Sequence, residues 1–223
     1  MFATGFSMNT DQIAEEYGGE TEQFLANTAK EFGVCVVGGA AMRGRDGRCR
    51  NKALVFSPSG ELLAFYAKMQ PFVPGGEGRH YVAGERPATF RWDDWTVAPF
   101  ICYDVRFPEL FREAAAGHRP ELFVVIANFP ETRILHWVRL LQARAIENQT
   151  YVLGVNRVGR DPYFTYTGRS LVIDPHGEIL ADAGDGEACI SVRLDLDALR
   201  KYREALPFLD DMGMVKRLNK LNS

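Results

Sequence analysis

The chain has 223 residues, 46% of them hydrophobic and 25% charged, with a formal net charge of −3. These values are typical of a folded globular protein, and the negative net charge argues against nucleic acid or an anionic membrane as a partner. No apolar run approaches the roughly 20 residues of a membrane helix, and the start of the chain has no signal-peptide pattern. We therefore expect a cytoplasmic protein with a single domain, 1–223.

The first part of the chain predicts a helix, a strand and a hairpin. Apolar residues recur with helical period over residues 21–31, and Gly33 is expected to end that helix. Runs rich in β-branched and apolar residues predict strands at 34–41, 53–56 and 62–66. Residues 69–87 are dense in Gly and Pro without a periodic apolar face, and loops of that length in a compact domain are usually functional.

Strands and helices then alternate. The predicted strands are 88–92, 96–103, 122–129, 151–155, 170–173, 178–181 and 188–194. The predicted helices are 109–116, which Gly117 would end, 135–148 and 197–204. This order indicates an α/β fold in which helices pack outside stacked sheets.

Cys102 stands where the apolar strand 96–103 ends and a helix follows. A thiol at that place is open to a cleft at the carboxyl edge of the sheet, where neighbouring backbone N–H groups can face an oxyanion. An unperturbed thiol is only about 3% ionised at neutral pH, so a nucleophile there needs assistance. Position alone leaves two interpretations equally open, a nucleophile and a packed cysteine.

Lys68 follows the apolar strand 62–66 and opens the long loop. A lysine at that place can stabilise an oxyanion, an interaction worth about 3 kcal/mol, although a solvated charge at a strand end is the simpler explanation of the residue by itself. The sequence has no C-x-x-C pair, no G-x-S-x-G motif and no phosphate-binding G-x-x-x-x-G-K loop. Cys35 and Cys189 are predicted to be packed thiols, and Cys49 to lie in an exposed turn.

Further motifs occur in a fixed order along nearly the whole chain. They are Thr4-Gly5-Phe6-Ser7-Met8, Tyr66-Ala67-Lys68, Ile101-Cys102-Tyr103-Asp104-Val105-Arg106-Phe107-Pro108-Glu109, Ala127-Asn128-Phe129-Pro130, His136-Trp137, Ala143-Arg144-Ala145-Ile146-Glu147-Asn148-Gln149-Thr150-Tyr151-Val152 and Asn156-Arg157-Val158-Gly159. In these motifs the chain resembles the nitrilase-type carbon–nitrogen hydrolases, and within them the bacterial omega-amidases, which hydrolyse the side-chain amide of 2-oxo acids.

The resemblance implies a nitrilase-type α-β-β-α sandwich and a catalytic Glu–Lys–Cys set without metal or organic cofactor. Cys102 matches the nucleophile and Lys68 the lysine. Glu77 resembles the family's second glutamate, which lies near the lysine and helps to position the substrate, although an exposed loop acid is the alternative. We expect the backbone N–H of Tyr103 to join Lys68 in holding the oxyanion.

The family's first glutamate, its general base, lies in a segment ending Pro-Glu-Met-Phe or similar, directly before the part that matches Met1 to Phe6. We therefore expect this base, and the strand, helix and strand ahead of it, to be missing from the chain; Glu15 and Glu16 lie too far along to replace it. An N-terminal truncation at an internal methionine is favoured over a natural variant without the base. Without it, turnover should be slower by roughly 10²–10⁴.

The resemblance also places the helix after Phe129 beside the substrate pocket. Phe129, Arg133 and His136 are therefore candidate substrate-binding residues, and either of the last two could meet a carboxylate, although a surface position explains His136 nearly as well. Small 2-oxo dicarboxylic acid monoamides such as 2-oxoglutaramate are the predicted substrates, and a homodimer is expected. The alternatives are a carbamoylase, a nitrilase, another amidase, or a catalytically impaired scaffold.

Overall fold

The computed structural model describes residues 1–212, so residues 213–223 of the predicted domain lie outside the described part. Its α-helices are α1 (Thr10–Ile13), α2 (Glu20–Phe32), α3 (Pro108–His118), α4 (Ile134–Asn148) and α5 (Leu196–Ala205). Its strands are β1 (Val36–Arg43), β2 (Cys49–Phe56), β3 (Leu62–Ala67), β4 (Phe90–Trp92), β5 (Trp95–Ile101), β6 (Leu122–Ala127), β7 (Tyr151–Asn156), β8 (Val158–Arg160), β9 (Thr165–Thr167), β10 (Leu171–Ile173) and β11 (Ile179–Asp182).

Two sheets pack face to face between layers of helices. The first has the order β1-β2-β3 and is antiparallel, and the second has the order β11-β10-β7-β6-β5-β4, in which β5, β6 and β7 are parallel. Helix α2 covers the first sheet, and α3 and α4 cover the second. This arrangement is the α-β-β-α sandwich expected from the sequence, and β8 pairs with β9 in a separate ribbon.

Helix α2 lies close against the first sheet because its apolar residues share one face. Thr21, Leu25 and Ala29 are buried at spacings of four residues. On the sheet side, a Cβ at Gly38 would lie 2.5 Å from Cδ2 of Leu25, so only glycine permits this approach. Gly33 ends the helix, as predicted, with a φ of +62°.

The main core lies between the sheets and under α3 and α4. The rings of Phe100 and Phe111 stack with centroids 3.9 Å apart, and Phe123 meets both rings edge-on. On α4, Leu141 approaches β7 at Gly154, where a Cβ would lie 2.4 Å from its Cδ1. Each of these large buried side chains contributes roughly 2 kcal/mol through removal from water, which anchors the strand ends that carry the site.

The predicted end of α3 at Gly117 is wrong. The helix continues to His118, and Arg119 leaves it with a φ of +46°. The physical reason is Pro120, because the residue before a proline is disfavoured in the helical region.

The predicted strand at 188–194 is also wrong, and the β8–β9 ribbon was not predicted. Residues 188–194 have no strand, although Leu194 packs against the core around Tyr151. A pattern in which every second residue is apolar predicts which side chains face inward. A strand also needs a neighbouring backbone to pair with, and the pattern contains no information about that neighbour. Two cysteine environments differ from prediction as well, since Cys49 is buried in β2 and Cys189 is exposed.

Candidate active site

The parallel strands β5, β6 and β7 bring their carboxyl ends to one edge of the second sheet. Cys102 follows β5 and begins a 3₁₀ helix, Cys102–Arg106, with a φ of +48°. Its Sγ lies 3.8 Å from the carbonyl oxygen of Asn128, which follows β6. A positive φ at a residue with a side chain costs about 1 kcal/mol, so the turn is held in place by its surroundings.

Lys68 and Glu77 form a buried ion pair behind this edge. The Lys68 Nζ atom lies 2.5 Å from Oε2 of Glu77, and the side chains are 3% and 1% exposed. Asn51 donates from Nδ2 to the other carboxylate oxygen at 3.0 Å, and the backbone N–H of Phe72 donates to Oε2. Buried charges are tolerated when they are paired and hydrogen-bonded, and here three donors satisfy the carboxylate.

Two adjoining cavities open at the same edge. The larger, about 1210 Å³, is lined by Lys68, Cys102, Asn128, Arg157 and residues of the segment 1–9. A smaller one, about 40 Å³, is also lined by Lys68 and Cys102. The predicted nucleophile and the predicted lysine therefore face one common space, and Glu77 lies behind the lysine.

The electrostatic surroundings of Cys102 act in two directions. Burial raises the pKa of its thiol, the positive charge of Lys68 lowers it, and the negative charges of Glu77 and Asp104 raise it again. The thiol is therefore harder to ionise than a free cysteine, and the charge of Lys68 is the main group that favours the thiolate.

Tyr103 directly follows Cys102 in the chain. It is the second residue of the 3₁₀ helix, a position whose N–H has no partner within the helix. Its ring is fixed edge-on by Phe72 and Phe107, with centroids 4.9 and 5.1 Å away. Tyr103 also lines the smaller cavity together with Lys68 and Cys102, and its role in holding an oxyanion remains a prediction.

Two of the three predicted substrate-binding residues line a cavity, and the third does not. Phe129 and Arg133 line the smaller cavity, with the Arg133 guanidinium 5.7 Å from the rings of both Phe72 and Phe164. His136 is exposed and does not line either cavity. Its Nδ1 lies 3.2 Å from the guanidinium of Arg106, which does line the smaller one.

The β8–β9 ribbon adds residues that the sequence did not single out as site residues. Arg157, just before β8, pairs with Asp161 at 3.3 Å and lies 4.5 Å from the Tyr166 ring. Tyr166 donates its hydroxyl to Asp161 at 2.7 Å and lines both cavities. The Asn156-Arg157 motif was the available signal, because polar residues at the end of a buried strand recur at active sites.

Asn156 holds the β6–α4 connection. Its Oδ1 accepts from the Phe129 N–H at 2.7 Å, and its Nδ2 donates to the Phe129 carbonyl at 3.0 Å. A side chain on β7 thus fixes the backbone at Asn128 and Phe129. Among residues 1–212, no group of three or more His, Cys, Asp and Glu side chains is arranged to hold a metal ion; the expectation of a cofactor-free site remains a prediction.

Comparison with known proteins identifies the family. The sequence profile described as carbon-nitrogen hydrolase matches residues 1–204. The chain belongs to the carbon–nitrogen hydrolase family. The predicted family resemblance is therefore confirmed.

Two relatives that this chain matches along most of its length are named as amidases. The chain is 39% identical to the omega-amidase YafV of Yersinia enterocolitica, over 95% of this chain and 81% of the relative. It is 34% identical to the 2-oxoglutaramate amidase of Bacillus subtilis, over 95% and 82% of the two chains. This carbon–nitrogen hydrolase is therefore an amide-hydrolysing enzyme.

The fold of this carbon–nitrogen hydrolase is that of solved relatives. The crystal structure of XC1258 from Xanthomonas campestris, a CN-hydrolase superfamily protein with an arsenic adduct in its active site, superposes with a TM-score of 0.88. The two chains are 33% identical, and the match covers 94% of this chain and 81% of the other. The predicted nitrilase-type α/β fold is confirmed.

Proposed function

We propose that this enzyme hydrolyses the ω-amide of small 2-oxo dicarboxylic acid monoamides to the acid and ammonia through a thioester on Cys102. The observation that carries the proposal is the common cavity in which Cys102 faces Lys68, with arginines along its wall. The substrate class is supported by relatives that act as omega-amidase and 2-oxoglutaramate amidase.

In the first half-reaction the Cys102 sulfur attacks the amide carbon. Lys68 and the Tyr103 N–H hold the resulting oxyanion, and one such donor is worth about 3 kcal/mol. Glu77 keeps Lys68 oriented through their ion pair. Its carboxylate oxygens already accept from Lys68, Asn51 and Phe72, so Glu77 is a positioning residue rather than the proton carrier.

The first half-reaction ends when the carbon–nitrogen bond breaks: ammonia leaves with the proton that the thiol gave up, and the thioester on Cys102 remains. In the second half-reaction water attacks the thioester carbon, the acid is released and the sulfur regains a proton; both half-reactions require a group that carries protons. The resemblance assigns this role to the family's first glutamate, which is expected directly ahead of the segment that matches Met1 to Phe6.

The arginines give the site its selectivity for an acidic substrate. Arg133 and Arg106 line the smaller cavity next to Cys102, and neither is within salt-bridge distance of a described carboxylate. A substrate carboxylate would supply the missing counter-charge, and arginine binds carboxylates in a two-pronged geometry. Phe129 and Phe72 provide apolar walls for the short carbon chain.

The homodimer and the cytoplasmic location remain predictions for this enzyme. Within residues 1–212, none of the helices has the length and apolar character needed to traverse a bilayer.

Ammonia release from a panel of substrates tests the function. We expect 2-oxoglutaramate to be turned over in preference to neutral amides, N-carbamoyl amino acids and nitriles. Mass spectrometry should show an acyl adduct on Cys102 in the wild type and none after Cys102→Ala. An adduct on another residue, or a preference for nitriles or carbamoyl compounds, would contradict the proposal.

A further inference from the structure

Asp104 is a buried carboxylate two residues after Cys102. It is fully buried and its Oδ2 accepts from the backbone N–H of Ile101 at 2.9 Å. A side chain at the third position of a helical turn that reaches back to the residue before the turn closes it from within, as in a capping box. Asp104 thereby fixes the backbone on both sides of Cys102, whose φ is +48°.

The same carboxylate also holds the segment that carries Lys68. Its Oδ1 accepts from the Gln70 N–H at 3.0 Å, and its Oδ2 accepts from the Tyr66 hydroxyl at 2.8 Å. The Tyr66 hydroxyl in turn accepts from the Met69 N–H at 3.2 Å. The backbone is therefore tied to Asp104 on both sides of Lys68.

Burial makes a negative charge on Asp104 costly, and it therefore raises the pKa of this carboxyl to about 6. Three donors offset that cost, because hydrogen bonds to a charged group are stronger than those between neutral groups. Asp104 does not line either cavity, so it does not meet the substrate. Its contacts instead join two chain segments, residues 66–70 around Lys68 and residues 101–104 around Cys102.

We propose that Asp104, acting with Tyr66, is a positioning residue that sets the placement of Lys68 relative to the Cys102 sulfur. The inference rests on the proposed function, in which Lys68 holds the oxyanion formed at Cys102. It assigns to this carboxylate a role in geometry, distinct from the effect of its charge. A misplacement of about 1 Å at a reacting centre can cost roughly a hundredfold in rate.

Turnover of 2-oxoglutaramate is the first test. Asp104→Asn replaces one acceptor by a donor that faces the Gln70 N–H, and Tyr66→Phe removes the hydroxyl that links Met69 to Asp104. We expect kcat to fall by about 10- to 100-fold in both variants while KM changes by less than about threefold.

Two matched controls lie at the opposite end of the same strands. Glu121→Gln alters a buried carboxylate that accepts from Thr96 and Arg200, and Tyr151→Phe removes a hydroxyl that donates to Asp195. Both controls should retain wild-type kcat. A fall in the controls as large as in the site variants would mean that loss of any buried hydrogen bond slows the enzyme, and would overturn the proposal.

Alkylation of Cys102 by iodoacetamide gives a second test that needs no turnover. After burial, which raises the pKa of the thiol most, the charge of Asp104 acts in the same direction. Removal of that charge alone should therefore lower the midpoint of the alkylation pH profile. Displacement of Lys68 should raise it, since the lysine favours the thiolate. We expect a raised midpoint in both Asp104→Asn and Tyr66→Phe.

Peptide mass mapping separates Cys102 from the other thiols, and the exposed Cys189 serves as an internal reference whose profile should not change. A lowered midpoint in Asp104→Asn, or unchanged midpoints in both variants, would refute the positioning role. If Asp104→Asn does not fold, Tyr66→Phe carries both measurements. Absence of turnover in the wild type would contradict the proposed function, whereas the alkylation profiles would still decide the role of Asp104.

Discussion

Oε2 of Glu77 lies 2.5 Å from Nζ of Lys68 in a part of the protein that water does not reach. Each side chain therefore depends on the other to balance its charge. Removal of one partner leaves the other as an uncompensated buried charge, which typically destabilises a protein by about 3–5 kcal/mol.

Glu77→Gln should therefore lower both stability and activity. We expect a loss of about 3 kcal/mol in the free energy of unfolding, because Lys68 stays buried without its counter-charge. Activity should fall by about 10²-fold as the lysine loses its orientation. Urea unfolding and ammonia release measure the two effects.

Asp182→Asn is the matched control, since Asp182 pairs with Arg169 at 2.6 Å but both side chains are about 30% exposed. It should cost less than about 1 kcal/mol and leave activity unchanged. Equal losses at the two pairs would show that burial of Lys68 and Glu77 has no energetic consequence.

We expect the Cys102→Gly variant to be at least as stable as the Cys102→Ala variant, although glycine usually makes a protein less stable than alanine does. The φ of +48° is strained for alanine by about 1 kcal/mol and is allowed for glycine. Thermal unfolding of the two variants checks this order. An alanine variant that is clearly the more stable would mean that Cys102 is not held in a left-handed conformation.

The titration of Asp104 should make the free energy of unfolding depend on pH in the acidic range. Burial, opposed by the charge of Lys68, raises the pKa of this carboxyl from 3.8 to about 6. The folded state thus holds a proton that the unfolded chain has released. The resulting stabilisation is complete below about pH 3.8, is lost as the pH rises through about 6, and amounts to about 3 kcal/mol.

Unfolding free energies of the wild type and Asp104→Asn between about pH 4 and about pH 7 measure this contribution. With rising pH the wild type should lose about 3 kcal/mol relative to the variant. Only the difference between the two curves is diagnostic, because other carboxyl groups titrate in both proteins. A wild type that gains stability relative to the variant would contradict the direction of the shift.

Arg133→Met should impair binding of acidic substrates. If its guanidinium meets the substrate carboxylate, KM for 2-oxoglutaramate should rise by about 10- to 100-fold, with little change for a neutral amide of similar size. Arg139→Met is the control, because Arg139 is exposed on α4, the helix that follows Arg133, and its guanidinium donates to Gln142. A similar rise for acidic and neutral amides would assign Arg133 to packing against Phe72 and Phe164 rather than to charge recognition.

The local patterns of the chain were sufficient for most of its elements. The predicted helix at 135–148 is the observed α4, Ile134–Asn148, because its apolar residues recur every three to four positions. The apolar strand before Cys102 was likewise identified, since a strand covered on both faces is apolar throughout. Such signals depend on neighbours within a few positions of one another.

The sequence by itself determined the family, the layered fold and the places of Cys102 and Lys68, because motifs and periodicities are local properties. Only the tertiary structure decided which groups meet. The bonds from Asp104 to Tyr66 and Gln70 join residues 38 and 34 positions apart. The burial of Cys49 and the ribbon near Tyr166 likewise depend on how strands pair. Pairing and register are set by packing across the whole molecule, and no short stretch of sequence contains that information.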